Sequence, residues 1–217
     1  NTYIFITGWN ALPDDPPLLH LAYAVVFGGC ALAYPVGRFL ERSRFPALSV
    51  PIVWVGAFWL AAMTYFFLLV LTIDLLRLVN WIVPFFPPVL VTPTDQTKLL
   101  FFALLTSGVA IVVALGAWNA ARPRLKNLRL RVAKDGRPLP SIRIAVASDI
   151  HLGTIVSTRR LKRIVGMIND LQPDIVLLPG DVVDEDLAPV IRYNLGETLR
   201  TIKAKYGVVA ITGNHEY

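Results

Sequence analysis

The chain has 217 residues, 55% of them hydrophobic and 17% charged, with a net charge of +6 and a mean hydropathy of +0.56. Its single cysteine, Cys30, excludes an internal disulfide. The positive charge gathers beside apolar segments and not in an RNA- or DNA-reading motif, so no nucleic-acid partner is expected.

Leu18–Gly37, Phe45–Ile73 and Leu99–Ala121 contain no Asp, Glu, Lys or Arg. A helix that crosses a bilayer needs about 20 apolar residues, and a soluble helix of that length would show a polar face. The pattern predicts membrane spans at about 18–40, 48–74 and 98–120, with residues 1–7 reading as the end of a further span and 1–121 as one transmembrane region. Length and repetition of the spans exclude a cleavable signal peptide. His20 reads as an interfacial residue and Cys30, beside Gly28 and Gly29, as a small packing residue inside the first span. Asp74 and Arg77 are three apart and suit pairing on one helix face or snorkelling at the interface. Trp81 and Trp118 fall near span ends, where amphipathic rings anchor.

Arg38, Arg42 and Arg44 lie between the first two spans, and Arg122, Arg124, Lys126, Arg129, Arg131, Lys134 and Arg137 follow the third. The opposite segments hold Asp14, Asp15 and Asp95 with little positive charge beyond Arg77 and Lys98. Positive residues near span ends stay cytoplasmic, so the C-terminal region is expected to face the cytoplasm, with the bilayer as its first partner. Residues 122–140 read as a basic juxtamembrane linker that includes a strand: Leu128, Leu130 and Val132 alternate with basic residues, and Lys134–Pro138 carries an Asp-Gly turn.

From 141 to 217 the pattern is α/β. Ile142–Ala147, Ile175–Leu178 and Val208–Ile211 read as buried parallel strands. Leu161, Ile164, Val165, Ile168 and Leu171 mark a helix between the first two, with Ser157 or Thr158 as N-cap and Pro173 beyond its end. Each strand runs into a polar motif: Ser148-Asp149-Ile150-His151-Leu152-Gly153, Gly180-Asp181-Val182-Val183-Asp184 and Gly213-Asn214-His215-Glu216. Strand C-terminal ends are where open α/β sheets bind ligands. Carboxylate, amide and imidazole donors suit Mn, Fe or Zn. Asp149 and His151, two apart, share a side in extended geometry and suit one metal. Asp181 suits a carboxylate bridging two ions, Asn214 a neutral ligand to the second, and His215 a group that meets the phosphate or leaving group.

The three motifs, in this order and spacing, resemble the calcineurin-like metallophosphoesterases, over roughly Ile142–Tyr217. The resemblance implies a membrane-anchored member whose fold is an N-terminal multi-span helical domain followed by the first half of an α/β metallophosphoesterase domain. It also implies that Asp149, His151, Asp181 and Asn214 hold two divalent ions, that His215 assists catalysis, and that Asp184 lies near the metals. Family members carry further histidine ligands downstream. This sequence has only His20, His151 and His215 and stops at Tyr217, so it reads as truncated after the Gly-Asn-His-Glu motif.

The expected activity is hydrolysis of a phosphate ester or pyrophosphate by a water that two metals activate. A phospholipid or lipid-linked pyrophosphate leads as substrate, since some membrane-associated relatives cleave such molecules. A soluble phosphoester and an inactive membrane-anchored scaffold are the alternatives. Arg159, Arg160, Lys162 and Arg163 on the first helix offer contacts to headgroups or to a phosphorylated substrate, or form a solvated helix face.

Overall fold

A computed structural model describes residues 1–14, 16–41, 46–132, 141–156, 158–184 and 187–216. Asp15, Arg42, Arg44, Lys134, Arg137, the turn at 134–138 and the N-cap residue Ser157 lie outside the described residues. The chain divides into two compact units, Asn1–Ala120 and Ala121–Tyr217.

The first unit is helical: α1 (Thr2–Ala11), α2 (Pro17–Glu41), α3 (Pro46–Ile82), a single turn α4 (Pro88–Val91) and α5 (Asp95–Ala120). α2, α3 and α5 are long and apolar enough to cross a membrane. Large apolar side chains point outward all round them, among them Leu18, Phe39, Leu68 and Leu115. Water would penalise that surface, whereas lipid tails do not. α3 runs to Ile82 instead of stopping near 74. No helix breaker intervenes before Pro84, and Arg77 Nη1 pairs with Asp74 Oδ1 at 3.4 Å one turn apart on the same face. His20 packs its ring against Trp9, with centroids 4.5 Å apart.

α2 and α3 pack closely because small residues face large ones. A Cβ at Gly56 would collide with the backbone of Tyr34, and one at Gly37 would come within 2.7 Å of Val53 Cγ2. Small residues of this kind let membrane helices approach closely enough for dispersion contacts to hold them. Gly56→Leu is therefore expected to separate the pair and lower the thermal midpoint of the detergent-solubilised protein by several degrees. Gly108→Leu, where a Cβ meets open space, is the control expected to leave the midpoint unchanged.

The second unit is built on a parallel sheet of β1 (Ile144–Val146), β2 (Ile175–Pro179) and β3 (Val208–Ile211), in the order β1-β2-β3. Ile144 aligns with Ile175, and Val176 with Val208. α6 (Thr158–Asp170) crosses over from β1 to β2, and α7 (Ala188–Arg192) and α8 (Leu195–Arg200) lie between β2 and β3. α6 buries Leu161, Val165 and Ile168 on one stripe against Leu152, Val176, Leu178 and Leu195. Its last turn is tied down by Asn169, whose amide donates to the Thr201 carbonyl at 2.9 Å and whose oxygen accepts from the Lys203 N–H at 2.8 Å. Leu161 is fully buried, so Leu161→Ala is expected to cost about 2–5 kcal/mol, read as faster hydrogen exchange across β1 and β2.

The strand expected at Leu128–Val132 does not form. Among the described residues they pair with no strand, and Leu128, Leu130 and Val132 are each about 80% exposed. Alternation favours a strand only where a free sheet edge can bury one face.

Candidate metal centre

The three motifs lie where the strands end. The segment after β1 runs alongside the segment after β2 and exchanges backbone bonds with it: His151 N–H donates to the Asp181 carbonyl at 2.9 Å, Leu152 N–H to Val182 at 2.9 Å, and Asp184 N–H to Leu152 at 3.0 Å. These bonds carry the parallel pairing past the sheet and bring His151 and Asp181 together. Asp149, His151 and Asp181 all adopt left-handed backbone conformations, with φ of 55°, 49° and 52°. The same-side argument from extended geometry therefore does not apply to Asp149 and His151. Ile150 between them is buried in the core, and a left-handed residue on each side turns the chain so that this anchor points inward. Such conformations cost about 1–3 kcal/mol each and cluster where function over-determines the backbone.

His151, Asp181 and His215 form one group whose ligand-type atoms all lie within 4.8 Å of one another. The two imidazoles meet edge to face, with centroids 4.6 Å apart and planes at 81°. Asp181 Oδ1 also accepts the His215 backbone N–H at 3.1 Å. The close approach needs Gly213, since a Cβ there would collide with the Asp181 carboxylate. Asp184 Oδ1 sits 3.5 Å from His215 Nδ1, too long for a hydrogen bond but close enough for charge attraction. Asp149 and Asn214 lie on the same loops, more exposed than the other three, and Asp149 stands outside that close trio.

Glu216 holds the loops together. Its carboxylate accepts backbone N–H groups from Gly213 at 2.7 Å, Val183 at 3.0 Å and Asp181 at 3.1 Å. The Val183 bond, with those from Gly213 and Asp181, outweighs the opposing effect of burial and holds the carboxyl at about 2, below its usual 4.5. Its role was not read from the sequence, although an acid directly after Gly-Asn-His was the visible signal.

The donor set fits a divalent metal. The His151 imidazole and the Asp181 carboxylate converge, and beside them the buried His215 Nδ1 has no hydrogen-bond partner among the described residues and is open to a bound ligand. An unsatisfied buried nitrogen is costly unless something else meets it, and borderline ions take this mixture of nitrogen and oxygen.

Parallel strands that end in a His-Asp-His group form a candidate metal site, and residues 142–217 match the calcineurin-like phosphoesterase family. Over 109 residues the chain is 36% identical to a transmembrane protein with metallophosphoesterase domain from Danio rerio, covering 50% of this chain and 24% of the relative. It is 32% identical over 126 residues to the protein of the same name from Bos taurus, covering 57% and 28%. An uncharacterized metallophosphoesterase of Helicobacter pylori is 32% identical over 97 residues, covering 45% and 25%. The chain thus spans about a quarter of the length of these relatives. No solved structure matches it at a significant level. Three helices long and apolar enough to cross a membrane thus precede a region similar to the calcineurin-like phosphoesterases, a family that implies divalent metal ions.

Proposed function

We propose that the full-length protein is a membrane-bound, metal-dependent phosphoesterase. His151 and Asp181 would hold metal together with Asp149 and Asn214, Asp181 bridging two ions and His215 meeting the phosphoryl group or the leaving oxygen. The observation that carries this reading is the convergence of His151, Asp181 and His215 within 4.8 Å at the strand ends. When bound, two divalent ions supply an activated water and stabilise charge on the phosphoryl oxygens. His215 then positions the ester and delivers a proton to the departing oxygen. Asp184 lies 3.5 Å from His215 Nδ1, beside the ring that takes this role.

The substrate we propose is a phospholipid or lipid-linked pyrophosphate, met on the cytoplasmic side. Arginines and lysines at the span ends support that orientation. Arg159, Lys162 and Arg163 are exposed along α6 and suit an anionic headgroup. A soluble phosphoester is the second reading within the same chemistry.

Hydrolysis of bis-p-nitrophenyl phosphate by the full-length protein in detergent, with Mn added or chelated, tests the activity. Turnover that requires both metal and His215 is expected, and silence with metal bound favours the scaffold reading. Substrate class is tested with Arg159→Gln/Lys162→Gln. Lower hydrolysis of lipid-linked pyrophosphate in anionic vesicles, with the nitrophenyl ester unaffected, is expected. Equal rates on the vesicle substrate would favour a soluble one.

A further inference from the structure

Residues 121–132, which follow α5 directly, hold five basic residues and no Asp or Glu. Arg122, Arg124, Lys126, Arg129 and Arg131 are all exposed. Between them stand Leu125, Leu128, Leu130 and Val132, which are also exposed, and among the described residues nothing covers them. Water penalises such an apolar run. The segment is tied at its start to α6, where Arg163 Nη1 donates to the Ala121 carbonyl at 3.0 Å. Arg159, Lys162 and Arg163 lie on one exposed face of that helix, opposite the stripe of Leu161, Val165 and Ile168 that enters the core. Residues 158–169 likewise contain no Asp or Glu. The basic segment and the basic helix face thus meet at Ala121, where the chain leaves a helix apolar enough to cross a membrane.

A partner for this surface has to take both its charge and its leucines. A nucleic acid or an acidic peptide would meet the cations but leave Leu128, Leu130 and Val132 in water. An anionic lipid surface meets both: headgroup phosphates attract Lys and Arg within a Debye length, ~8 Å at physiological ionic strength, and the acyl boundary beneath receives the apolar side chains. Long basic side chains reach headgroups while their apolar neighbours sink. The interface is hydrated, so a segment with no strand partner keeps its backbone groups satisfied there, as it could not in hydrocarbon. The bilayer is also within reach, since Lys126 stands six residues past α5 and stays within about 20 Å of the helix end in any conformation. We propose that residues 122–132, with the basic face of α6, dock on an anionic bilayer, Leu128, Leu130 and Val132 entering the acyl boundary and the Lys and Arg groups holding headgroup phosphates. A zwitterionic surface offers the same boundary without net negative charge, so docking depends on lipid charge. The docking rests on α5 as a membrane span and not on the metal centre.

Trypsin tests the docking, because it cuts after Lys126, Arg129 and Arg131 wherever they are accessible. The full-length protein is placed in nanodiscs of phosphatidylcholine, with or without phosphatidylglycerol, and cleavage at those three bonds is followed by mass spectrometry. Cleavage is expected to be about tenfold slower, or more, in the anionic nanodiscs, and high salt is expected to restore most of it. Leu128→Ser/Leu130→Ser keeps every cleavage site and every charge. It is expected to lose most of the protection, with the thermal midpoint unchanged because both side chains are exposed. Equal cleavage in the two nanodiscs would overturn the proposal. Protection already complete in detergent would overturn it too, by making another part of the protein the cover. Full protection of the serine variant would remove the leucines from the contact.

Discussion

Asp181→Asn is expected to remove both metal and turnover, whereas His215→Asn keeps metal and lowers kcat by about a hundredfold to ten-thousandfold, the usual worth of a positioned acid. The contrast follows from what each side chain touches. Asp181 groups with His151 and His215, their ligand-type atoms within 4.8 Å of one another, and its Oδ1 also accepts the His215 N–H. Neutralising it removes the one carboxylate of the trio, and with it the negative charge that attracts a cation. Asn at 215 keeps the backbone N–H that Asp181 accepts and removes only the imidazole. Elemental analysis of the purified variants, alongside hydrolysis of bis-p-nitrophenyl phosphate, separates the two effects. Wild-type metal content in Asp181→Asn would remove the bridging role, and metal loss in His215→Asn would make His215 a ligand instead of an acid.

Glu216→Gln is expected to weaken metal binding by about ten- to a hundredfold, the range seen when a residue that orients ligands is lost. Glu216 is a positioning residue. It gathers N–H groups from the loops after β2 and β3, and a Gln that keeps its oxygen on Asp181 and Gly213 would turn its NH2 toward the Val183 N–H. The same contacts set a pH dependence. With its carboxyl held at about 2 against the usual 4.5, Glu216 contributes stability fully above pH 4.5, and that contribution is lost as the pH falls toward 2. Circular dichroism from pH 5 to 2 is expected to show the gap between wild type and Glu216→Gln closing as the pH drops. A constant gap would remove the carboxylate as the loop clamp.

The motifs were readable in the sequence because the chemistry demands particular residue types. Gly-Asp and Gly-Asn-His at the ends of Val- and Ile-rich runs announce both the strands and the loops that follow them. Strand positions agree closely, with Ile175–Pro179 and Val208–Ile211 at the places where apolar runs meet turn residues. The limits of α3 were less readable, since Asp74 and Arg77 look like a span boundary until their pairing on one helix face is seen. Leu128–Val132 failed for the opposite reason, as alternation records a preference for half-burial but not whether a sheet edge is there to receive it.

What the sequence determined by itself were the apolar helices, the parallel strands and the polar motifs at their ends, because each is written in local composition and period. Only the tertiary structure decided that Asp149, His151 and Asp181 turn left-handed around a buried Ile150, that Gly213 makes room for Asp181, and that Glu216 ties the loops. These are contacts between residues far apart in the chain, set by packing, and no local pattern encodes them.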